Sequence, residues 1–129
     1  MPQTSRAGDA IVFKVCRDRD WRAAVASGGY SGSAADRQDG FIHLSAAHQL
    51  AGTLARHYAG QADLVLIAVS AARLGGALRW EPSRGGDLFP HLYAPLPVAA
   101  ALQTWPIAAG FDGVHVLPDL AAMEKPAHD

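Results

Sequence analysis

One run constrains this chain more than any other: Leu64-Val65-Leu66-Ile67-Ala68-Val69, within Asp63–Val69. A strand of these residues has no polar side, so both of its faces must be covered. It therefore belongs in the middle of a sheet, with other elements packed above and below. The run is far shorter than the roughly 18–20 apolar residues of a membrane span, and no other stretch reaches that length.

The rest of the chain supplies the cover. Ile11–Val15 reads as a first strand, with Lys14 on the face of Val12 and Ile11, Phe13 and Val15 on the other. Asp18 or Asp20 is placed to cap a helix over Trp21–Ser27, whose apolar stripe is Trp21, Ala24 and Val25 and whose stop is Gly28-Gly29. Tyr30–Gln38, rich in Ser, Gly, Ala and Asp, reads as a loop. Asp39-Gly40 is a turn signal. Phe41–Ser45 alternates as a strand with Phe41, His43 and Ser45 on one face. Ser45 then stands as the N-cap of a helix over Ala46–Tyr58 that buries Ala47, Leu50, Ala51, Leu54 and Tyr58. Beyond the central run, Ala77–Glu81 reads as a strand with Leu78 and Trp80 opposite Arg79 and Glu81. Leu88–Tyr93 is a further strand, interrupted by Pro90 and so expected at an edge or bulge. Val98–Trp105 is strand or short helix closed by Pro106, Gly110–Gly113 a turn, and Val114–Leu117 a last strand. Two βα units followed by several strands argue an α+β domain, expected over 10–118, with flexible tails at 1–9 and 119–129.

Composition narrows the partners. The chain has 129 residues, half of them hydrophobic, and a formal net charge of −1, which suits one domain with one core. Nothing in it suggests the basic face that nucleic acid demands: Arg17, Arg19 and Arg22 lie close together but are neutralised locally by Asp18 and Asp20, so nucleic acid is not expected. The single cysteine, Cys16, rules out an intramolecular disulfide and a cysteine-rich zinc site. It fits a reducing compartment, and the polar start of the chain has no signal core, so a cytoplasmic location is expected. The expected partner is a small molecule. Oligomeric state stays open.

The candidate chemistry sits in two echoing strings, Gly-Phe-Ile-His-Leu-Ser at 40–45 and Phe-Pro-His-Leu-Tyr at 89–93. His43 and His91 each alternate with aromatic residues, and each alone is either a satisfied half-buried histidine or a site group. Two such segments in one small sheet would converge on one cleft. Glu81 is one of two glutamates, the other being Glu124 in the expected tail. It either pairs with a surface arginine or binds hydroxyls and stabilises developing positive charge. No metal site is expected: His43, His48, His91 and His115 offer no pair at the i, i+4 helical spacing that zinc enzymes use. A histidine-based, metal-assisted hydrolase is nevertheless carried as a third reading.

The 40–45 string, the Trp80-Glu81 pair and the 89–93 string, in that order, resemble the bacterial domain of unknown function 952 family. The Trp21 helix ending at Gly28-Gly29-Tyr30 resembles it too, and the likeness covers roughly Ile11–Leu117. That family has no established activity. The resemblance implies a fold similar to the ADP-ribosyltransferases: a split, mostly antiparallel sheet around an NAD-binding cleft, with helices outside. It implies that a nucleotide such as NAD is the candidate ligand. Glu81, His43 and His91 would be the catalytic groups, with Ser45, Phe89, Tyr93 and Lys14 holding the ligand. Lys14 stands where family members often carry a histidine on the first strand; it keeps a donor but not the imidazole geometry. The implied reaction is cleavage or transfer at the nicotinamide ribose; the alternative is a non-catalytic binding or interaction module on the same fold.

Overall fold

The structure is a computed structural model and describes residues 10–109 and 113–120. The leader expected at 1–9, the turn residues 110–112 and the tail from 121 onward, Glu124 included, lie outside the described residues. In chain order the elements are β1 (Ile11–Arg17), α1 (Asp18–Ser27), β2 (Gly29–Tyr30), α2 (Ala34–Asp39) and β3 (Ile42–His43). A 3-10 turn at Ala47–Gln49 leads into α3 (Leu50–His57), β4 (Leu64–Ser70), α4 (Ala71–Leu74), β5 (Leu78–Pro82) and β6 (Leu88–Leu92). β7 (Leu96–Pro97) and β8 (Ala101–Ile107) follow. The domain is α+β, and every strand pair described is antiparallel. The sheets are β1-β4-β8, β2-β7 and β3-β6-β5. None of the described helices is long and apolar enough to cross a membrane.

β4 is the central strand that its composition demands. Its alternation divides the interior in two: Val65, Ile67 and Val69 join one apolar cluster, and Leu64, Leu66 and Ala68 join another. β1 does the same, with Val12 and Cys16 in the first cluster and Phe13 and Val15 in the second. Each large side chain so buried contributes roughly 1.5–3 kcal/mol. Lys14 lies on the Val12 face, as alternation requires, and is therefore buried in the first cluster's layer at 3% exposure. α3 covers the second cluster through Leu50 and Leu54, while Ala51, expected on that face, is exposed. Leu120, placed in a tail by the sequence, is buried in the same cluster.

Several local expectations are overturned. Neither Asp18 nor Asp20 caps α1: the N-cap is Arg17, and both acids sit in the first turn, where they favour the helix dipole. Val25 is exposed, so only Trp21 and Ala24 of the expected stripe are buried. Tyr30–Gln38 is not a loop. It holds β2 and α2, the latter opened by a capping box in which Ser33 Oγ accepts from the Asp36 N–H and Asp36 Oδ2 accepts from the Ser33 N–H. Gly40 closes α2 at φ 86°, a left-handed value that glycine adopts without strain. Pro90 lies in the middle strand of its sheet rather than at an edge. Its carbonyl accepts from the Leu44 N–H, so its ring nitrogen also faces β3, which ends at His43. The missing N–H thus falls where the neighbouring strand has stopped. β8 runs through Pro106, which an edge strand tolerates. Val114–Leu117 forms no strand; His115 makes an isolated bridge to Ala109.

Candidate functional site

Both histidine strings reach one face of the sheet β3-β6-β5. In register, His43 lies opposite His91, and His91 opposite Arg79. Ile42, Leu92 and Leu78 take the inner face and join or pack against the first apolar cluster. That turns Phe41, His43, His91, Arg79 and Glu81 outward together. The imidazoles meet edge to face with centroids 5.8 Å apart. Phe41 binds the group: its ring stacks on His91 at 4.0 Å and tilts against His43 at 4.7 Å and Tyr93 at 5.3 Å.

Each histidine is held by carboxylates. His91 Nδ1 lies 2.8 Å from Glu81 Oε1, and the Tyr93 hydroxyl donates to the same oxygen at 2.7 Å. The bond from Tyr93, then that from His91, holds Glu81 below the usual carboxylate range, and the bond to Glu81 raises the Tyr93 phenol. Glu81 is 34% exposed, so an ionised, oriented acceptor faces solvent. The Arg79 guanidinium sits 5.2 Å from the Tyr93 ring centre. On the other side, His43 Nδ1 meets Asp36 Oδ1 at 2.6 Å and Nε2 meets Asp39 Oδ2 at 2.9 Å. Both ring nitrogens are thereby committed, and His43 acts as a strut.

Asp36 anchors that strut. Burial alone would push its carboxyl up, but the His43 hydrogen bond and the charge and hydrogen bond of Lys14 outweigh burial and hold it far below the usual range.

The sequence-derived site is thus brought together in part. His43, His91, Glu81 and Tyr93 share one face. Phe89 is buried on β6 opposite Glu81. Lys14 does not reach outward: its ammonium is spent on Asp36 at 2.9 Å and on the His43 carbonyl at 3.1 Å, so it cannot hold a dinucleotide from there. Ser45 neither lines the face nor caps a helix. It is buried, its hydroxyl paired with Thr53 at 2.9 Å, and Gln49 Oε1 serves the Ala46 N–H at the helix start instead. His91 itself is covered by Phe41, leaving its side chain 7% exposed. The sequence reading left out Phe41, Asp36, Asp39 and Arg79. Ser33-Ala34-Ala35-Asp36 has the spacing of a capping box and was the signal for α2 and Asp36. Among the described residues, no three His, Cys, Asp or Glu converge as metal ligands. His115 lies elsewhere, against the Gln61 carbonyl.

No curated protein matches the chain. The crystal structure of protein CC0527 from Caulobacter crescentus is similar to it, at 45% identity and a TM-score of 0.80, covering 88% of this chain and 97% of that one. The solution NMR structure of CC0527 is similar as well, at 44% identity and a TM-score of 0.73, covering 92% and 98%. A family model matches residues 15–104, and the chain belongs to that family, described as protein of unknown function, DUF952.

Proposed function

We propose that the face formed by Phe41, His43, His91, Glu81 and Tyr93 binds a small ligand carrying a flat ring and hydroxyl groups. NAD or a related nucleotide is the candidate, and this reading includes the resemblance to the ADP-ribosyltransferase fold, which is analogy at the level of the fold. The observation that carries it is the Glu81 carboxylate, kept ionised by Tyr93 and His91 beside exposed aromatic edges. A carboxylate so held accepts ribose hydroxyls, and an aromatic edge stacks on a base or nicotinamide ring. Binding without turnover is favoured by two facts: Lys14 is neutralised by Asp36, and His91 is covered by Phe41. Turnover is the second reading. An ionised carboxylate fixed before substrate arrives suits the stabilisation of an oxocarbenium-like state at the nicotinamide ribose.

NMR titration of NAD, ADP-ribose and nicotinamide tests both. Binding predicts shifts at Phe41, His91 and Tyr93, and an affinity lowered roughly tenfold or more in Glu81→Gln, the loss of one charge-assisted hydrogen bond. Turnover predicts nicotinamide release that collapses in Glu81→Gln while binding changes little. Wild-type protein whose site resonances stay still with all three compounds overturns the proposal.

A further inference from the structure

A pocket of about 470 Å³ has Cys16, Arg17, Asp20, Tyr30, Arg37 and Tyr58 among its lining residues and none of the side chains of the histidine face. Such a volume suits a small organic molecule. Tyr30 is 4% exposed, and its hydroxyl makes no hydrogen bond with any described residue. Buried hydroxyls in native proteins almost always have partners, so an unpaired one on a residue that lines a pocket marks a place where an acceptor belongs. Burial pushes the Tyr30 phenol up, with Cys16, Asp36, Tyr58 and Asp20 adding to the effect. The group therefore keeps its proton and offers a donor. Three of those neighbours, Cys16, Asp20 and Tyr58, themselves line the pocket.

The charges on the wall indicate what the acceptor is. Arg17 Nε pairs with Asp20 at 3.2 Å, which cancels both. Arg37 is fixed by Nη1 donating to the Gly32 carbonyl at 2.6 Å, and the rest of its guanidinium fork can face an anion. Among the described lining residues, the pocket thus combines one cation with no ion pair, Arg37, and one buried donor. We propose that this pocket binds a small organic carboxylate, anchored by the Arg37 guanidinium and receiving a hydrogen bond from the Tyr30 hydroxyl. The site shares no lining residue with the histidine face and stands independently of the ligand read there.

The probes are acetate, glycolate and benzoate, against acetamide and benzamide as neutral counterparts, followed by NMR at constant ionic strength. Carboxylates are expected to shift Cys16, Tyr30 and Gly32, with the amides leaving them in place. Tyr30→Phe deletes only the orphan hydroxyl, and Arg37→Gln removes an exposed charge together with its bond to the Gly32 carbonyl; both variants are expected to fold, which their ligand-free NMR spectra check. Each is expected to weaken the tightest carboxylate roughly tenfold or more. Equal affinities in wild type and both variants overturn the proposal. So do amides that bind as well as carboxylates, or an ordered water as the sole partner of Tyr30 Oη with no carboxylate-dependent shift.

Discussion

Asp36 accepts four hydrogen bonds at 2% exposure: from Lys14 Nζ, the Ser33 N–H, the His43 N–H and His43 Nδ1. A carboxylate taken out of water this far is tolerable only when its lone pairs are filled and its charge is matched. Gly32 shows how tightly the place is built: a Cβ there would stand 2.8 Å from the Asp36 Cβ. Lys14 supplies the matching charge, so its role is structural, opposite in sense to a ligand-holding residue on the first strand. Lys14→Met keeps the volume and removes the charge. Because it strands the partner rather than deleting the pair, the expected cost is about 3–5 kcal/mol. Urea denaturation followed by Trp fluorescence measures it. A loss below about 1 kcal/mol would place the pair with ordinary surface ion pairs.

At the level of elements, the short α2 does what the sequence assigned to Ser45. Ser33 and Asp36 form the reciprocal box, and Asp36 then reaches Lys14 and His43, so the helix start and the site strut share one carboxylate. Ser33→Ala is expected to cost roughly 0.5–2 kcal/mol, the usual price of a lost N-cap. It should also shift the His43 ring resonances, since it loosens Asp36. Ser45→Ala loses only its bond to Thr53 and should leave those resonances in place. Differential scanning calorimetry and histidine NMR of the two variants check the contrast. The same comparison shows what was legible. β4 and β1 were, because burial on two faces writes itself as continuous apolar residues and as alternation. The approach of His43 and His91 on one face was, because both alternate with aromatic residues. The capping of α2 lay hidden under a composition of Ser, Gly, Ala and Asp, whose weak helix preference is overridden by Asp36 finding Lys14 and His43 in the fold. The position of Pro90 was hidden for a similar reason: a proline rule looks at one strand, and here the neighbour's end decides.

At the scale of the molecule, one network joins two sheets. Lys14 belongs to β1 of the sheet β1-β4-β8, and His43 to β3 of the sheet β3-β6-β5, with Asp36 of α2 between them. The backbone adds one joint, Phe13 N–H to the Ser45 carbonyl at 2.8 Å and Ser45 N–H to the Phe13 carbonyl at 2.9 Å. The histidine face therefore hangs on the larger core through an ionised carboxylate. Its folded pKa is depressed below the ordinary 3.8, so between the two values the unfolded chain binds a proton that the native chain does not. Stability is then fully present above 3.8 and falls as pH drops through that window toward the folded value, by about 1.4 kcal/mol per pH unit for one proton. Glu81, also depressed, acts in the same direction. Urea melts from pH 6 down to pH 2 should show this decline below about pH 4. In Lys14→Met, Asp36 loses the charge that favours its ionised form, its pKa moves back toward the ordinary value, and the decline should be shallower. Hydrogen exchange under the same acid conditions should release the β3 amides before those of β4, because protonation loosens the joint while leaving the two apolar clusters intact. Equal acid slopes in wild type and Lys14→Met would mean that Lys14 does not hold the Asp36 charge, and the joint would have to be assigned to His43 alone.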